Sequence, residues 1–390
     1  MSSGTRRVKK YNEEKDVLQA GRERMDYLFE NFDELWVSFS GGKDSGAVLN
    51  LVLDAVERHG ELPGEKKIQV LHFDDEFAYP ETEEFTNKMV REFQDELHIW
   101  WLCFPMKYGG GTNRTDKYFT PWNPSMKDRW IREKPSPDRH PNMTMMDRRH
   151  EWYQEHVDAS MKHKDIAPLL IEENRDGRAA SLTGIRTNES MNRYTALMRA
   201  GTWLKGYGQG RDHRVAYPIY DWTDRDLWKI HNDEGWEYNR AYDKLQQLGY
   251  APRTMRTAHP FHYMSLTAGS DNSSEAATQK QMWPEEYVRW ARRLEGAQLA
   301  FDYGGKYAGP VSPPGMNNEE YTHLLLENIE DEDLYEKCRR QIQRRINNHA
   351  DHSDEPLRQW RPCPVCNLRW WDMVNYVYEK KYDIVLGQTG

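Results

Sequence analysis

Residues 35–56 read LWVSFSGGKDSGAVLNLVLDAV. The apolar run 35–39 predicts a strand, and the apolar spacing from Ala47 to Val56 predicts a helix. Between them lie Ser40, Gly41, Gly42, Lys43, Asp44 and Ser45, with Ser38 at the end of the strand. A strand-to-helix turn whose glycines leave backbone N–H groups bare is an anion cradle. The helix N-terminus adds partial positive charge, and Lys43 adds a full one. The NTPase P-loop, G-x-x-x-x-G-K-[ST], needs a glycine at position 37, where this chain has Val37. This is therefore a different phosphate loop. The simpler alternative is a tight turn with Asp44 or Ser45 as helix cap, but Ser, Gly, Gly, Lys, Asp and Ser together exceed what a turn requires.

Outward from the loop, strands are expected at 35–39, 68–73, 98–104, 180–185 and 214–219. Amphipathic helices are expected at 14–31, 45–58, 81–96 and 164–175. This alternation predicts an α/β fold: a twisted, mostly parallel sheet with helices on both faces and a ligand site outside the carboxyl ends of its strands. Residues 107–150 interrupt the rhythm with ten Lys or Arg against five Asp or Glu. Lys107, Arg114, Lys117, Lys127, Arg129, Arg132, Arg139, Arg148 and Arg149 are interleaved there with Tyr108, Tyr118, Phe119, Trp122 and Trp130. Guanidiniums and aromatic faces together suit phosphates and stacked bases, so nucleic acid is one expected partner. A lid or a dimerisation arm is the alternative. Residues 266–282, LTAGSDNSSEAATQKQM, have linker composition, and 284–299 and 318–347 read as charged helices. The expected organisation is a helical arm at 1–32, a main domain at 33–265, a linker at 266–282 and a helical C-terminal domain at 283–390.

The motif SGGKDS after a strand resembles the PP-loop of the adenine nucleotide α-hydrolase superfamily. Its members include ATP pyrophosphatases, PAPS reductases, the ATP sulfurylase small subunit and tRNA thiolases. The resemblance implies that Ser38, Ser40, Gly41, Gly42, Lys43, Asp44 and Ser45 bind the phosphates of an adenine nucleotide. Three further stretches are similar to the PAPS reductase branch. In LHFDDEFAYPETEEF, Asp74, Pro80, Glu81 and Thr82 match its Asp-Thr-x-x-x-Phe-Pro-Glu-Thr signature, and Asp75 stands where that signature has threonine. In LTGIRTNESMNR, Gly184, Arg186, Glu189, Ser190 and Arg193 match G-x-R-x-x-[EQ]-S-x-x-R. An arginine fork at a strand end suits phosphate or sulfate, although a surface ion pair is the alternative for Arg193. Pro218, Trp222, Asp226, Trp228, Tyr238, Asn239 and Tyr242 match a third segment, with Trp222 and Trp228 expected in the core. Carboxylates beside a phosphate loop make sense if Mg²⁺ or a ribose hydroxyl intervenes, which makes Asp74 a candidate Mg²⁺ ligand. A solvated acidic helix start is the alternative.

The resemblance stops at the cysteines. PAPS reductases use a nucleophilic cysteine in a Glu-Cys-Gly-Leu-His-type motif, which this chain lacks, so authentic PAPS reduction is not expected. The insertion and tail look like the PAPS-reductase-like proteins of immunoglobulin-binding-regulator A type, found on phages and mobile elements beside a ParB-like protein. The implied reading is an enzyme that binds ATP, or a related adenine nucleotide, with Mg²⁺ and cleaves at the α-phosphate. Lys43, Asp44 and Arg186 would be its catalytic residues, pyrophosphate would leave and an acceptor would be adenylylated. The alternatives are a PAPS-binding reductase or sulfotransferase-like enzyme, a nucleotide sensor acting with a ParB-like partner, and a nucleic-acid sulfur-transfer component.

Composition sets outer limits. The net charge of −9 argues against a surface coated for nucleic acid. No run approaches the roughly 18 apolar residues of a membrane span. The charged N-terminus has no apolar core of a secretory signal. Four cysteines are too few for a disulfide scaffold, so a cytoplasmic location is expected. His349, His352, Cys363 and Cys366 form an H-x₂-H-x₁₀-C-x₂-C array, a candidate zinc site with Cys338 as a spare ligand. An unliganded reduced pair, or a redox or iron–sulfur role, is the alternative.

Overall fold

The structure is a computed structural model. It describes residues 15–109, 118–158, 161–206, 212–250, 252, 255–257, 280, 282–298, 312–366 and 368–381. Apart from 280 and 282, the expected linker at 266–282 lies outside the described residues, as do Arg114 and Lys117 of the basic insertion. The described chain forms two compact units.

The larger unit is built on seven strands: β1 (Glu34–Ser38), β2 (Ile68–Phe73), β3 (Leu97–Cys103), β4 (Met143–Asp147), β5 (Ala179–Leu182), β6 (Leu204–Gly206) and β7 (His213–Ala216). Their order is β4-β3-β2-β1-β5-β7-β6, and every pairing is parallel except β6 with β7. Side-chain alternation covers both faces. Leu35 and Val37 of β1, Ile68 and Val70 of β2, and Ile99 and Trp101 of β3 point into one core. Trp36, Leu71 and Leu102 point into the other, which is filled by Ile166, Leu170 and Ile171. The expected α/β sheet is present. Two of its strands lie where none was expected: the methionine-rich β4 inside the basic insertion, and the three-residue β6 at the edge.

Helix α1 (Val17–Asn31) packs Met25 and Leu28 into the first core. Its Arg24 makes a buried two-point ion pair with Asp221 at 2.6 and 2.7 Å. The described part of the expected N-terminal arm is thus a core element of this unit. Helix α2 (Lys43–His59) follows β1, and α3 (Pro80–Glu92) follows β2. Then come α4 (Glu151–His156), α5 (His163–Asn174), α6 (Met191–Ala200), α7 (Asp224–Asp233), α8 (Ala241–Gln247) and α9 (Pro284–Arg293).

Helix α9 corrects the expected domain boundary at 283, because it belongs to the larger unit. Trp283 stacks on Tyr79 at 4.3 Å between ring centres, and Trp290 meets the same ring edge-on. Both tryptophans are buried, which a solvated tail would not provide.

The second unit contains α10 (Asn318–Glu327), α11 (Glu332–Ala350) and α12 (Trp370–Lys381). The expected single helix at 318–347 is divided at 328–331, where Asp331 accepts the Leu334 N–H and starts α11 afresh. Leu325, Leu326, Cys338, Ile342, Met373, Val374 and Val377 form its small core.

Candidate functional site

Strand order reverses at β1: β2, β3 and β4 are added on one side, β5 and β7 on the other. The switch point therefore lies between the loops that follow β1 and β5, where open α/β sheets bind ligands. Both loops carry a required glycine. Gly41 has φ +72°, and a Cβ there would stand 2.8 Å from Thr82 Cγ2. At Gly184 a Cβ would stand 2.7 Å from the Asp44 carbonyl carbon, so the two loops meet at backbone distance. Gly42 occupies the N-cap of α2, so the cap residue has no side chain to cap that helix. Asp44 and Ser45 are therefore not its caps; the Lys43 N–H goes to Tyr242 Oη, and the next first-turn N–H groups are left for an anion. Ser45 is used inside the loop: its Oγ accepts the Ser40 N–H, donates to the Gly42 carbonyl and lies 3.1 Å from Ser40 Oγ.

Four charges sit at this junction. The Arg186 guanidinium donates to Asp44 Oδ1 at 2.5 Å, to Asp224 Oδ1 at 2.9 Å and to the Trp222 carbonyl at 3.2 Å. Lys43 Nζ lies 3.6 Å from Asp44 Oδ2 and 4.0 Å from Asp224 Oδ1, and donates to the Met255 carbonyl. Burial pushes the Arg186 guanidinium down, but Asp44 and Asp224 outweigh it and hold it above its usual range. Lys43 and Arg186 are thus matched one for one by carboxylates. An incoming phosphate chain would have to compete with Asp44 and Asp224 or recruit them through a cation.

The loop is held from behind by residues of the third matched segment. Asn239 Nδ2 donates to the Gly41 carbonyl and to Thr82 Oγ1, at 2.8 and 2.7 Å. Tyr242 Oη accepts the Lys43 N–H at 2.8 Å and bonds Thr257 Oγ1 at 3.2 Å. Asp224, Asn239 and Tyr242 were not among the expected site residues. For Asn239 and Tyr242 the signal was their membership of a matched motif. For Asp224 there was only its place two residues after Trp222. The motif's Asp226 instead forms a capping box with Thr223 at the start of α7.

The acidic end of β2 is arranged differently. Asp74 is buried: Oδ1 accepts from Arg132 at 2.5 Å and from the Glu76 N–H, and Oδ2 accepts from Trp101 Nε1 at 2.7 Å. Burial raises its carboxyl, but Arg132, His72 and these donors outweigh it and hold it below the usual range. Both oxygens are already bonded and the carboxylate is fully enclosed, so Asp74 does not fit the expected Mg²⁺ ligand. Glu76 has φ +70° and is fully buried. It takes a bidentate ion pair from Arg293 at 2.8 and 3.0 Å, and its oxygens also accept the Trp122 and Ile131 N–H groups. Asp75 lies between these two, and burial first, then the Asp74 charge, push its carboxyl up to about 7.

The remaining expected residues are engaged locally. Glu81 accepts from Trp283 Nε1 at 2.8 Å and pairs with Lys244. Glu189 accepts the Arg186 N–H and pairs with the exposed Arg193, an ion pair that was the alternative reading for Arg193. Ser190 caps α6. In the insertion, Trp122 is buried, Arg132 serves Asp74, and Lys134 and the exposed Arg149 both pair with Asp147, while Lys127, Arg129 and Arg148 stay exposed. Cys103 lies under the sheet edge, and burial and then Asp74 push its thiol well above its usual range, away from thiolate chemistry. In the second unit, His349, Cys363 and Cys366 gather with ligand atoms within 4.8 Å of one another. His352 is not in that group, and its ring Nδ1 bonds the Asn348 carbonyl instead.

Residues 34–101 match the family described as "Phosphoadenosine phosphosulfate reductase domain". That stretch holds β1, the glycine loop, β2, its acidic end and most of β3. That stretch is similar to the PAPS reductase domain, and the likeness is to those residues. The uncharacterized protein YbdN of Escherichia coli K12 is 25% identical over 334 residues, covering 80% of this chain and 75% of YbdN. Similar solved structures include the PAPS reductase of Candida auris in a phosphate complex. It is 15% identical, with a TM-score of 0.31, over 59% of this chain and 85% of that one. Yeast FAD synthetase with bound FAD is another, 13% identical with a TM-score of 0.36, over 76% of this chain and 93% of that one. Among the described residues no helix is long and apolar enough to cross a membrane.

Proposed function

We propose that this protein binds ATP, or a closely related adenine nucleotide, across the loop 40–45 and cleaves it at the α-phosphate. Pyrophosphate leaves and an acceptor is adenylylated. One observation carries the reading: a helix N-terminus with glycine at its N-cap and a lysine meet the Gly184–Arg186 loop at the switch point of a parallel sheet, backbone against backbone. Catalysis is electrostatic. Lys43, Arg186 and the loop N–H groups stabilise charge that develops on the transferring phosphoryl oxygens. Asp44 and Asp224, both partly exposed, offer hard carboxylate oxygens and replace Asp74 as the residues that would hold Mg²⁺. That ion would supply charge neutralisation along the phosphate chain. Asn239 and Tyr242 hold the loop in place and touch no phosphate themselves.

The second reading is a nucleotide sensor without turnover. It is favoured by the balanced charge of the cluster, in which each cation already has a carboxylate. Incubation with Mg²⁺ and α-labelled ATP, with Lys43→Ala as control, separates the two. Labelled AMP or an AMP adduct, formed with pyrophosphate and lost in the variant, supports the enzyme. Tight binding without product supports the sensor. Tighter binding of a 3′-phosphorylated nucleotide redirects the assignment to PAPS, and no nucleotide binding at all sinks all three.

A further inference from the structure

The sequence array H-x₂-H-x₁₀-C-x₂-C offers four ligands, and the structure selects three of them. His349 lies near the end of α11, and Cys363 and Cys366 lie in the turn before α12. His349 and Cys363 are buried, at 5% and 6% exposure. His349 Nδ1 lies 3.1 Å from Cys366 Sγ, and the three ligand atoms fall within 4.8 Å of one another. Ligand atoms around a tetrahedral zinc ion stand about 3.3–3.8 Å apart, given Zn–S near 2.3 Å and Zn–N near 2.0 Å. Small side-chain adjustments therefore close the set on an ion.

The surrounding bonds favour a metal over a bare thiol pair. His349 Nε2 lies 2.7 Å from the Glu355 carbonyl. A carbonyl can only accept, so Nε2 carries the proton and the Nδ1 lone pair faces the sulfurs. This is how second-layer hydrogen bonds orient a histidine ligand. The Val365 N–H donates to Cys363 Sγ at 3.4 Å, and the Cys363 N–H is held by the Leu368 carbonyl. Redox C-x-x-C pairs draw reactivity from a helix N-terminus, whereas here the pair sits in a turn and α12 begins only at Trp370. An iron–sulfur cluster takes four protein ligands, all cysteine or two cysteines with two histidines, against the three gathered among the described residues. Cys338, the spare candidate, is fully buried in the apolar core beside Ile342 and Met373 and takes no part.

We propose that His349, Cys363 and Cys366 hold a zinc ion, that His352 is not a ligand, and that the ion clamps the end of α11 to the turn before α12. Two thiolates balance the dication, the imidazole binds neutral through Nδ1, and a water completes the tetrahedron. Binding releases the two thiol protons to solvent. The benefit is physical, because the second unit has a small core and a metal staple adds folding free energy that apolar burial does not supply.

The test uses the full-length protein purified without added metal. Elemental analysis should find one zinc per chain. His349→Ala, Cys363→Ser and Cys366→Ser should each lower that content at least about tenfold, while His352→Ala keeps it. Because a ligand variant can misfold, the wild type supplies the second measurement. Two thiols should become reactive towards a thiol reagent only after chelation, and circular dichroism should show the chain still helical. Cobalt substitution should give thiolate charge-transfer bands that persist in His352→Ala. Zinc lost with His352, iron in place of zinc, a Cys363–Cys366 disulfide, or two thiols reactive before chelation would each overturn the proposal.

Discussion

Two corners of one sheet edge carry clustered charges, yet they use them in opposite ways. At the glycine loop, the residue at the N-cap of α2 has no side chain to cap it, and the two carboxylates are paired but partly reachable: Asp44 is 22% exposed and Asp224 14%, above a buried Lys43 and Arg186. At the end of β2, Asp74 and Glu76 are fully enclosed and every oxygen has a partner. A carboxylate can be moved by a ligand only if releasing its present partner does not leave a bare charge in the interior. Under the proposed function the first corner is the binding machinery, and the second is framework.

The comparison predicts that changes at the second corner alter stability and changes at the first alter binding. Arg293→Ala leaves the Glu76 carboxylate buried without its cation, and should cost about 3–5 kcal/mol in denaturant unfolding. Binding measured on the folded fraction should be unchanged. Gly184→Ala presses a methyl into the Asp44 backbone. Strain of about 1–3 kcal/mol should appear chiefly as a ten- to hundredfold weaker nucleotide affinity, read by calorimetry, and a purely stability-based loss would erase the distinction between the corners. Asp75→Asn tests the framework's pH response. The folded carboxyl sits at about 7, above its unfolded value, so the folded state holds more protons between roughly pH 4 and 7 and stability falls as pH rises through that window. The variant should flatten that slope and gain about 1–2 kcal/mol at pH 8. Smallest is Tyr242→Phe, which removes the acceptor of the Lys43 N–H. It should cost about 1 kcal/mol and weaken nucleotide binding a few-fold, while Tyr238→Phe, bonded to Asp243 on the surface, should not.

Legibility in the sequence followed the same division. The glycine loop could be read directly, because its requirements are local: a strand, two glycines and a helix start within a dozen residues. Strands β1, β2, β3, β5 and β7 announced themselves by apolar runs, whereas Met143–Asp147 was hidden by methionines inside a Pro- and Arg-rich stretch. Asp74 was misread for a long-range reason. Its motif position suggested a metal, but its charge partner Arg132 lies 58 residues on, across a segment that composition presented as a free basic arm. Arg186 does lie beside the glycine loop, but its sharing between Asp44 and Asp224 depends on helix α7, which periodicity had not marked. Tryptophans 283 and 290 looked like tail residues because the preceding linker composition hid their return to the larger unit.

The Glu76–Arg293 pair also sets an order of events in biosynthesis. Glu76 leaves the ribosome 217 residues before its partner, an interval of roughly 10–40 s at ordinary elongation rates. During that time the positive-φ backbone at Glu76 and the Trp122 N–H that leans on the same carboxylate have no guanidinium to close over them. The sheet can assemble early, but its acidic corner must stay hydrated and unfinished until α9 arrives. Translational pausing before residue 293, or chain termination at the compositional boundary near 265, would therefore release a nascent domain with a wet, charged gap in its side.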